Sequence, residues 1–180
     1  TIRCRDSTFT AGATASSISV TTAGTYWGEA SYPSGELVTN GNFSGGNTGF
    51  STPFTYNSNI TSDGTYWIGT NAASHHPQLQ GTGNGPFLMV NAGWMHAGWN
   101  PWCQTIAVCP GQTYTLSVRL MSLAVQGPPV LDWVVNGVSL NLPMQTGSQA
   151  VWTTFTNTWT SGPTQTSATI CLQIGSGHGI

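Results

Sequence analysis

Charged residues are scarce in this sequence. Charged residues make up 4% of the chain, which holds three arginines, five acidic residues and no lysine, whereas roughly 25% is usual for a globular protein. Binding to nucleic acid or to anionic lipid needs clusters of basic side chains, and none is present. A surface of Thr, Ser, Asn, Gln and Gly is typical of an extracellular protein. It also suits close packing of identical subunits, because self-repulsion is weak.

Long apolar runs and helical periodicity are missing as well. No stretch is long and apolar enough to span a membrane, so we expect no membrane insertion. The first residues, TIRCRDSTF, lack the apolar segment of a signal peptide. We therefore expect any secretion signal to lie upstream or to have been removed. The aromatic content of 11% argues against a disordered chain.

Catalytic motifs are also lacking. The sequence contains no G-x-S-x-G elbow, phosphate-binding loop or HExxH motif. Glycoside hydrolysis needs two carboxyl groups that face one bond. We interpret Glu36 as a boundary residue, Asp63 as a turn residue and Asp132 as a strand residue paired with Arg119. The sequence therefore predicts a protein that is not an enzyme and has neither a metal site nor a cofactor.

Strand and turn signals fill most of the chain. Runs rich in Thr, Val, Ile and aromatic residues alternate with clusters of Gly, Pro, Asn and Ser, which predicts an all-β protein with a sandwich or jelly-roll fold. Asn136-Gly137 predicts a two-residue hairpin. The spacing of Trp152, Phe155 and Trp159 slips by one residue and predicts a bulge. We predict strands over 16–22, 36–40, 54–57, 65–70, 87–93, 102–108, 112–124, 130–136, 138–142, 150–160 and 166–174.

Two parts of the chain are separated by SYPSGE at 31–36, which has the composition of a linker. We interpret residues 1–35 as an N-terminal β-rich appendage that can act as an exchanged strand. Residues 36–180 then form the main domain.

Four cysteines are present, and none forms a CxxC pair, which excludes a zinc ribbon on spacing. An even number in a charge-poor, Thr-rich chain favours disulfides in an oxidising compartment. The cysteines alone leave three connectivities open. We therefore expect a secreted protein that is extracellular or attached to the cell surface.

Aromatic residues concentrate in GWMHAGWNPWCQ, residues 93–104. Gly93, Gly98 and Pro101 interrupt residues 94–102, which predicts a loop or a strongly bent strand, and loops lie at the surface. This segment is either a ligand platform or a packing interface. Tyr66 and Trp67 are neighbours on a predicted strand, so one of the two should face outwards. The candidate ligand-binding residues are Trp94, His96, Trp99, Asn100 and Tyr66.

Several segments in order carry a resemblance to a known family: NGNFSGGNTGF, PWCQTIAVCPGQTY, AVWTTFTNTWTSG and SATICLQ. Together they resemble a jelly-roll module of the carbohydrate-binding type, found in secreted and surface adhesin-like proteins of Bacteroidetes-like bacteria. The earlier segment SISVTTAGTYWGEA is similar to the end of an immunoglobulin-like repeat. The resemblance implies a Cys103–Cys171 disulfide. Cys4 and Cys109 would then bond each other, or Cys4 would bond a neighbouring subunit.

The chain departs from this family in two ways. Family members carry acids in the opening motif that help to hold a structural calcium ion, whereas this sequence has Asn42 and Ser44, which weakens such a site. The sequence also stops before the family's final strand. This predicts an open groove with unpaired backbone groups, filled by residues 1–35 or by a neighbouring subunit.

Two functions follow from these patterns. The first is a non-catalytic extracellular binding or adhesion module that recognises a glycan or a cell-surface polysaccharide. The alternative is a structural subunit of an extracellular filament or surface layer. In that case the partners are copies of the same chain, assembled by strand exchange.

Overall fold

The computed structural model describes residues 35–125 and 130–175. The predicted appendage, apart from its last residue, and the strand predicted over 16–22 lie outside these ranges. The strands are β1 (Thr55–Tyr56), β2 (Thr65–Asn71), β3 (Thr82–Asn91), β4 (Trp102–Ala107), β5 (Thr113–Leu120), β6 (Val130–Val135), β7 (Val138–Ser139), β8 (Met144–Gln145), β9 (Thr153–Thr160) and β10 (Ser167–Ile174). Two short 3-10 helices are Ala72–Ser74 and Trp94–His96.

The strands form three sheets. A five-stranded sheet has the order β4-β10-β6-β7, with β8 also pairing with β6. A three-stranded sheet has the order β1-β2-β3, and a two-stranded sheet joins β5 to β9. All these pairings are antiparallel except β1 with β2. The prediction of an all-β sandwich is confirmed.

The five-stranded sheet forms one layer, and the two smaller sheets form the other. Leu116 of β5 packs with Trp102, Trp133 and Ile170 of the large sheet. Tyr66 of β2 belongs to a cluster with Ile174 of β10. Both smaller sheets therefore bury their inner faces against the same partner sheet, as a sandwich requires.

The hairpin predicted at Asn136-Gly137 is confirmed. Val135 pairs with Val138 across a two-residue loop. Asn136 has φ 52° and Gly137 has φ 80°, and these left-handed values are those of the tight turns that match strand twist.

Two local predictions are wrong. The strand predicted over 36–40 does not form, because the Gln104 side chain accepts from Thr39 N at 2.8 Å and donates to Thr39 O at 3.0 Å. A side-chain amide thus takes the place of a strand partner. The bulge predicted around Phe155 is also absent: β9 pairs with β5 in regular register from Thr153 to Thr160. Trp152 precedes the strand, which accounts for the slipped spacing.

Within the described ranges, no helix is long and apolar enough to cross a membrane.

Candidate ligand-binding site

Trp99 presents an aromatic ring at the surface beside the end of β10. It is 41% exposed. The chain reaches it from the helix Trp94–His96 and turns at Gly98, whose φ of 83° lies in the left-handed region. Glycine adopts this conformation without the steric cost that other residues meet. The turn at Gly98 therefore determines where the loop places Trp99.

Hydrogen bonds hold the Trp99 loop to β10. Gly98 N donates to Ile174 O at 2.8 Å, and Ile174 N donates to Trp99 O at 2.9 Å. The Gln173 side chain adds a bond to Gly98 O at 3.0 Å. The loop backbone is thus ordered without a ligand, which lowers the entropy lost on binding.

Two buried rings support the Trp99 indole. Phe54 lies 5.5 Å from it at an interplanar angle of 75°, and His96 lies 4.7 Å from it at 83°. Phe54 is 6% exposed and His96 is 9% exposed. His96, predicted as a ligand contact, is therefore covered and acts from beneath as a support for Trp99.

The helix before Trp99 is itself packed against the turn at residues 62–64. A Cβ atom at Gly93 would overlap the Asp63 carboxylate, so no larger residue fits there without displacing that turn. The position of a Cβ at Gly64 would lie 3.0 Å from His96 Nε2. These close approaches explain the glycine that opens the GWMH segment. They also fix the place of His96.

Polar groups flank the indole. Asn100 Oδ1 accepts from Gln173 Nε2 at 3.2 Å, and Thr52 Oγ1 accepts from Phe54 N at 3.2 Å. An open depression of about 400 Å³ lies here. Its lining comprises Ser51, Thr52, Pro53, Gly98, Trp99, Asn100 and Cys103. The arrangement combines one flat apolar surface with hydroxyl and amide groups, and none of its described lining residues is charged.

Tyr66 lies apart from this surface. It is 5% exposed, and its hydroxyl donates to Asn47 Oδ1 at 2.7 Å. Tyr66 and Ile68 occupy the inward-facing positions of β2, so the Tyr66 ring has no open face for a ligand. Of the predicted ligand residues, the structure brings together Trp99 and Asn100 with His96 beneath them. The side chain of Trp94 lies outside the part of the chain that is described.

A second exposed aromatic residue was not predicted. Tyr56 is 42% exposed and stacks on Trp67 at 4.5 Å and 19°. Its strand, β1, pairs in parallel with β2 although few residues separate them. Parallel strands are usually joined by a crossover connection of about a dozen residues or more. The short connection between β1 and β2 therefore gave no reason to expect that they pair in parallel.

The Cys103–Cys171 disulfide is confirmed. These residues face each other across β4 and β10, and their Cα atoms lie 4.1 Å apart. The alternatives for Cys4 concern a residue outside the described ranges. Cys109 is buried.

The opening loop does not fit a calcium ion. No carboxylate lies in residues 40–50, and Asn42 Oδ1 already accepts from Ser44 N at 3.1 Å. The Asn40 amide closes the loop instead: Oδ1 accepts from Gly45 N at 2.8 Å, and Nδ2 donates to Thr48 O at 2.8 Å. Within residues 35–125 and 130–175, no three His, Cys, Asp or Glu side chains form a group that could hold a metal ion.

The predicted Asp132–Arg119 pair is wrong. Asp132 accepts hydrogen bonds from Ser139 Oγ, from Asn141 N at 3.2 Å and from Leu142 N at 3.0 Å. The Arg119 guanidinium lies over the Trp152 ring at 5.3 Å. The two residues are on β6 and β5, which belong to different sheets. Asp132 therefore organises the chain that follows the β6–β7 hairpin.

Comparisons with known proteins give weak similarities. No protein-family model matches the sequence, and no curated protein matches it. Among solved structures, the C-terminal domain of the sugar-binding protein EclA is 17% identical, with a TM-score of 0.39 over 47% of this chain and 61% of that domain. A family 35 carbohydrate-binding module from an environmental isolate is 17% identical, with a TM-score of 0.42 over 72% of this chain and 81% of that module.

Proposed function

We propose that this chain is a non-catalytic extracellular glycan-binding module and that Trp99 is the centre of its binding surface. The observation that carries the proposal is the exposed Trp99 indole, held on β10 beside the amides of Asn100 and Gln173. A sugar ring has an apolar C–H face and a rim of hydroxyl groups. An aromatic ring can cover the first, while amides and hydroxyls bind the second.

The lack of charge around Trp99 favours a neutral ligand. Among the described residues, the lining of the depression comprises Ser, Thr, Pro, Gly, Trp, Asn and Cys. A phosphate or carboxylate ligand would leave its charge uncompensated there. The Cys103–Cys171 disulfide supports an oxidising environment outside the cell, where polysaccharides are exposed.

The test is glycan-array binding of the wild-type chain, followed by titration calorimetry with the polysaccharide that binds best. We expect Trp99→Ala to weaken binding at least about tenfold, or about 1.4 kcal/mol, because the stacking surface is removed. Tyr56→Ala is the matched control, since Tyr56 is 42% exposed and Trp99 41%. It should bind like the wild type. Equal affinity of Trp99→Ala and wild type would overturn the proposal, and so would an array without binding.

Asn100→Ala separates hydrogen bonding from stacking. We expect a smaller loss of roughly 0.5–1.5 kcal/mol, the usual net contribution of a neutral hydrogen bond. A deoxygenated sugar that binds wild type and Asn100→Ala equally well would identify the hydroxyl that Asn100 contacts. If Asn100→Ala has no effect with any ligand, then the amide is not part of the surface.

A further inference from the structure

Gln173 lies on the outer face of β10, beside the Trp99 loop. The preceding residue, Leu172, packs against the core, so Gln173 points to the opposite face of the sheet. The other outward-facing residue nearby is Cys171, whose disulfide partner Cys103 lines the depression beside Trp99. The Gln173 side chain therefore leaves the strand on the side of the sheet that carries the proposed binding surface.

The Gln173 amide nitrogen uses both of its hydrogens. Nε2 donates to Gly98 O at 3.0 Å and to Asn100 Oδ1 at 3.2 Å. The nitrogen and oxygen of a side-chain amide have nearly the same shape, and their hydrogen-bond partners decide which is which. A backbone carbonyl only accepts hydrogen bonds, so the Gln173 atom that faces Gly98 O has to be the nitrogen. The backbone thus fixes the orientation of this amide.

The orientation of Gln173 fixes that of Asn100 in turn. Because Gln173 Nε2 only donates, the Asn100 atom that faces it has to be the oxygen, and the reverse orientation would set two donors against each other. Among the described residues, neither Asn100 Nδ2 nor Gln173 Oε1 has a hydrogen-bond partner. The two side chains, here called the amide pair, therefore offer free donors on Asn100 and a free acceptor on Gln173.

We propose that Gln173 is a positioning residue of the glycan-binding surface and that Asn100, held by it, donates a hydrogen bond to an oxygen of the bound sugar. This inference rests on the proposed function, since it concerns the ligand of the same surface. Without Gln173, the Asn100 amide would be able to turn and present its oxygen instead. The contact from Gly98 O through Gln173 to Asn100 therefore decides whether the surface donates or accepts beside the Trp99 ring.

The amide pair selects a sugar hydroxyl over an ammonium group. A hydroxyl can accept from Asn100 Nδ2 and also donate to Gln173 Oε1, whereas an ammonium group has only donors. Its charge would also lack a counter-ion, because the described lining of the depression contains no acid. Asp132, which pairs with Gln173 in register, already accepts from Ser139 and from two backbone amides. The ligand class is therefore a neutral saccharide with a free hydroxyl over Asn100, and amino sugars are excluded at this position.

The first test examines the amide pair without a ligand, by NMR of the full-length chain labelled with nitrogen-15 and carbon-13. We expect a scalar coupling across the hydrogen bond from Gln173 Nε2 to the Gly98 carbonyl carbon. We also expect the Gln173 side-chain hydrogens to exchange with water at least about tenfold more slowly than those of Asn100, because hydrogen-bonded groups are protected. Equal exchange rates, or a coupling that is absent, would overturn the positioning role of Gln173.

The second test measures selectivity on an array of oligosaccharide pairs built from glucose, galactose and mannose. The two members of a pair differ only in a hydroxyl or an ammonium group at one carbon, and the pairs cover every hydroxyl position. We expect the wild-type chain to bind the hydroxyl member at least about tenfold more tightly at one position or more. Equal binding of both members in every pair, or preference for the ammonium member, would refute the ligand class.

Gln173→Met tests whether the selectivity comes through Asn100. Methionine keeps the length of the side chain but cannot hold the Asn100 amide, so either end of the amide can then face the sugar. The preference for hydroxyl over ammonium should fall at least about threefold, since an outward Asn100 oxygen accepts from the ammonium group. The matched control is Gln145→Met, because Gln145 is exposed and its side chain makes no hydrogen bond among the described residues. It should keep the wild-type ratio.

The ratio distinguishes positioning from a general loss of structure, because partial unfolding would weaken both members of a pair alike. An unchanged ratio in Gln173→Met would overturn the role of Gln173 even if overall affinity falls. An array on which the wild-type chain binds nothing would overturn both the proposed function and the ligand class. The NMR measurement would still decide, by itself, whether Gln173 fixes the orientation of Asn100.

Discussion

The two layers of the sandwich are built from similar strands but differ in continuity. In the large sheet, β10 pairs along its length with β4 on one side and with β6 on the other. A disulfide and a two-residue hairpin reinforce these pairings. The second layer is divided into β1-β2-β3 and β5-β9, with an apolar groove between them. One layer is therefore complete within the described chain, and the other has room for a further strand.

This difference predicts that the two layers contribute unequally to the free energy of unfolding. The continuous layer pairs β10 on both sides and buries Ile170 and Val135 on one inner face. Among the described residues, the divided layer leaves one edge of β3 and one edge of β5 unpaired. We expect changes in the continuous layer to lower the free energy of unfolding. Changes at the groove wall, where side chains are only partly buried, should lower it less.

One of the two largest expected effects is removal of the Cys103–Cys171 disulfide. The bridge spans a sequence separation of 68, and the chain-entropy relation gives about 4 kcal/mol for such a loop. Cys103→Ala/Cys171→Ala should lower the unfolding free energy by up to that amount, measured by urea unfolding. A loss below about 1 kcal/mol would contradict a stabilising role for the bridge.

A matched pair of truncations compares the layers directly. Ile170 is 3% exposed at the centre of the large sheet, so Ile170→Ala should cost about 2–5 kcal/mol. Val118 is only partly buried on the groove wall, and Val118→Ala should cost less than about 1 kcal/mol. Equal losses in urea unfolding would show that the two layers contribute alike.

The hairpin of the large sheet provides a smaller effect. Asn136 has φ 52°, and its Oδ1 accepts from Thr169 N at 2.9 Å. Asn136→Ala should cost about 1–2 kcal/mol because alanine is strained in this conformation. Asn136→Gly also lacks the hydrogen bond to Thr169 N, but glycine is not strained in this conformation. It should therefore be more stable than Asn136→Ala and less stable than the wild type. If the glycine variant is no more stable than the alanine variant in thermal unfolding, the left-handed conformation is not the cause.

The smallest expected change in stability is at the binding surface. Trp99→Ala should alter the unfolding free energy by less than about 1 kcal/mol, because the residue lies at the surface and its loop is held by backbone bonds to β10. Thermal unfolding of this variant and of Tyr56→Ala checks this. If Trp99→Ala unfolds much more easily than the wild type, then weaker glycan binding by this variant results from unfolding and not from the missing indole.

Sequence patterns predicted those parts of the structure that depend on neighbours along the chain. The Asn136-Gly137 turn and the strand at residues 65–71 follow from local turn chemistry and β-propensity. Residues 36–40 have the same strand-like composition but form bends and turns, since the backbone of Thr39 bonds to the side chain of the distant Gln104. The predicted ligand-binding residues show the same difference between local and long-range effects. The segment around Trp99 was recognisable from Gly98 and Pro101 as a loop or a bent strand, whereas the inward orientation of Tyr66 depends on the sheet behind it.

The sequence by itself determined that the protein is an all-β sandwich with a nearly uncharged surface, because alternation, turn residues and composition act locally. Family resemblance added the cysteine pair. Only the tertiary structure decided that His96 lies beneath Trp99, that Arg119 lies over Trp152 and that a groove separates β3 from β5. These features depend on which strands meet across the sandwich. That choice follows from packing between residues far apart in the chain, which no local pattern encodes.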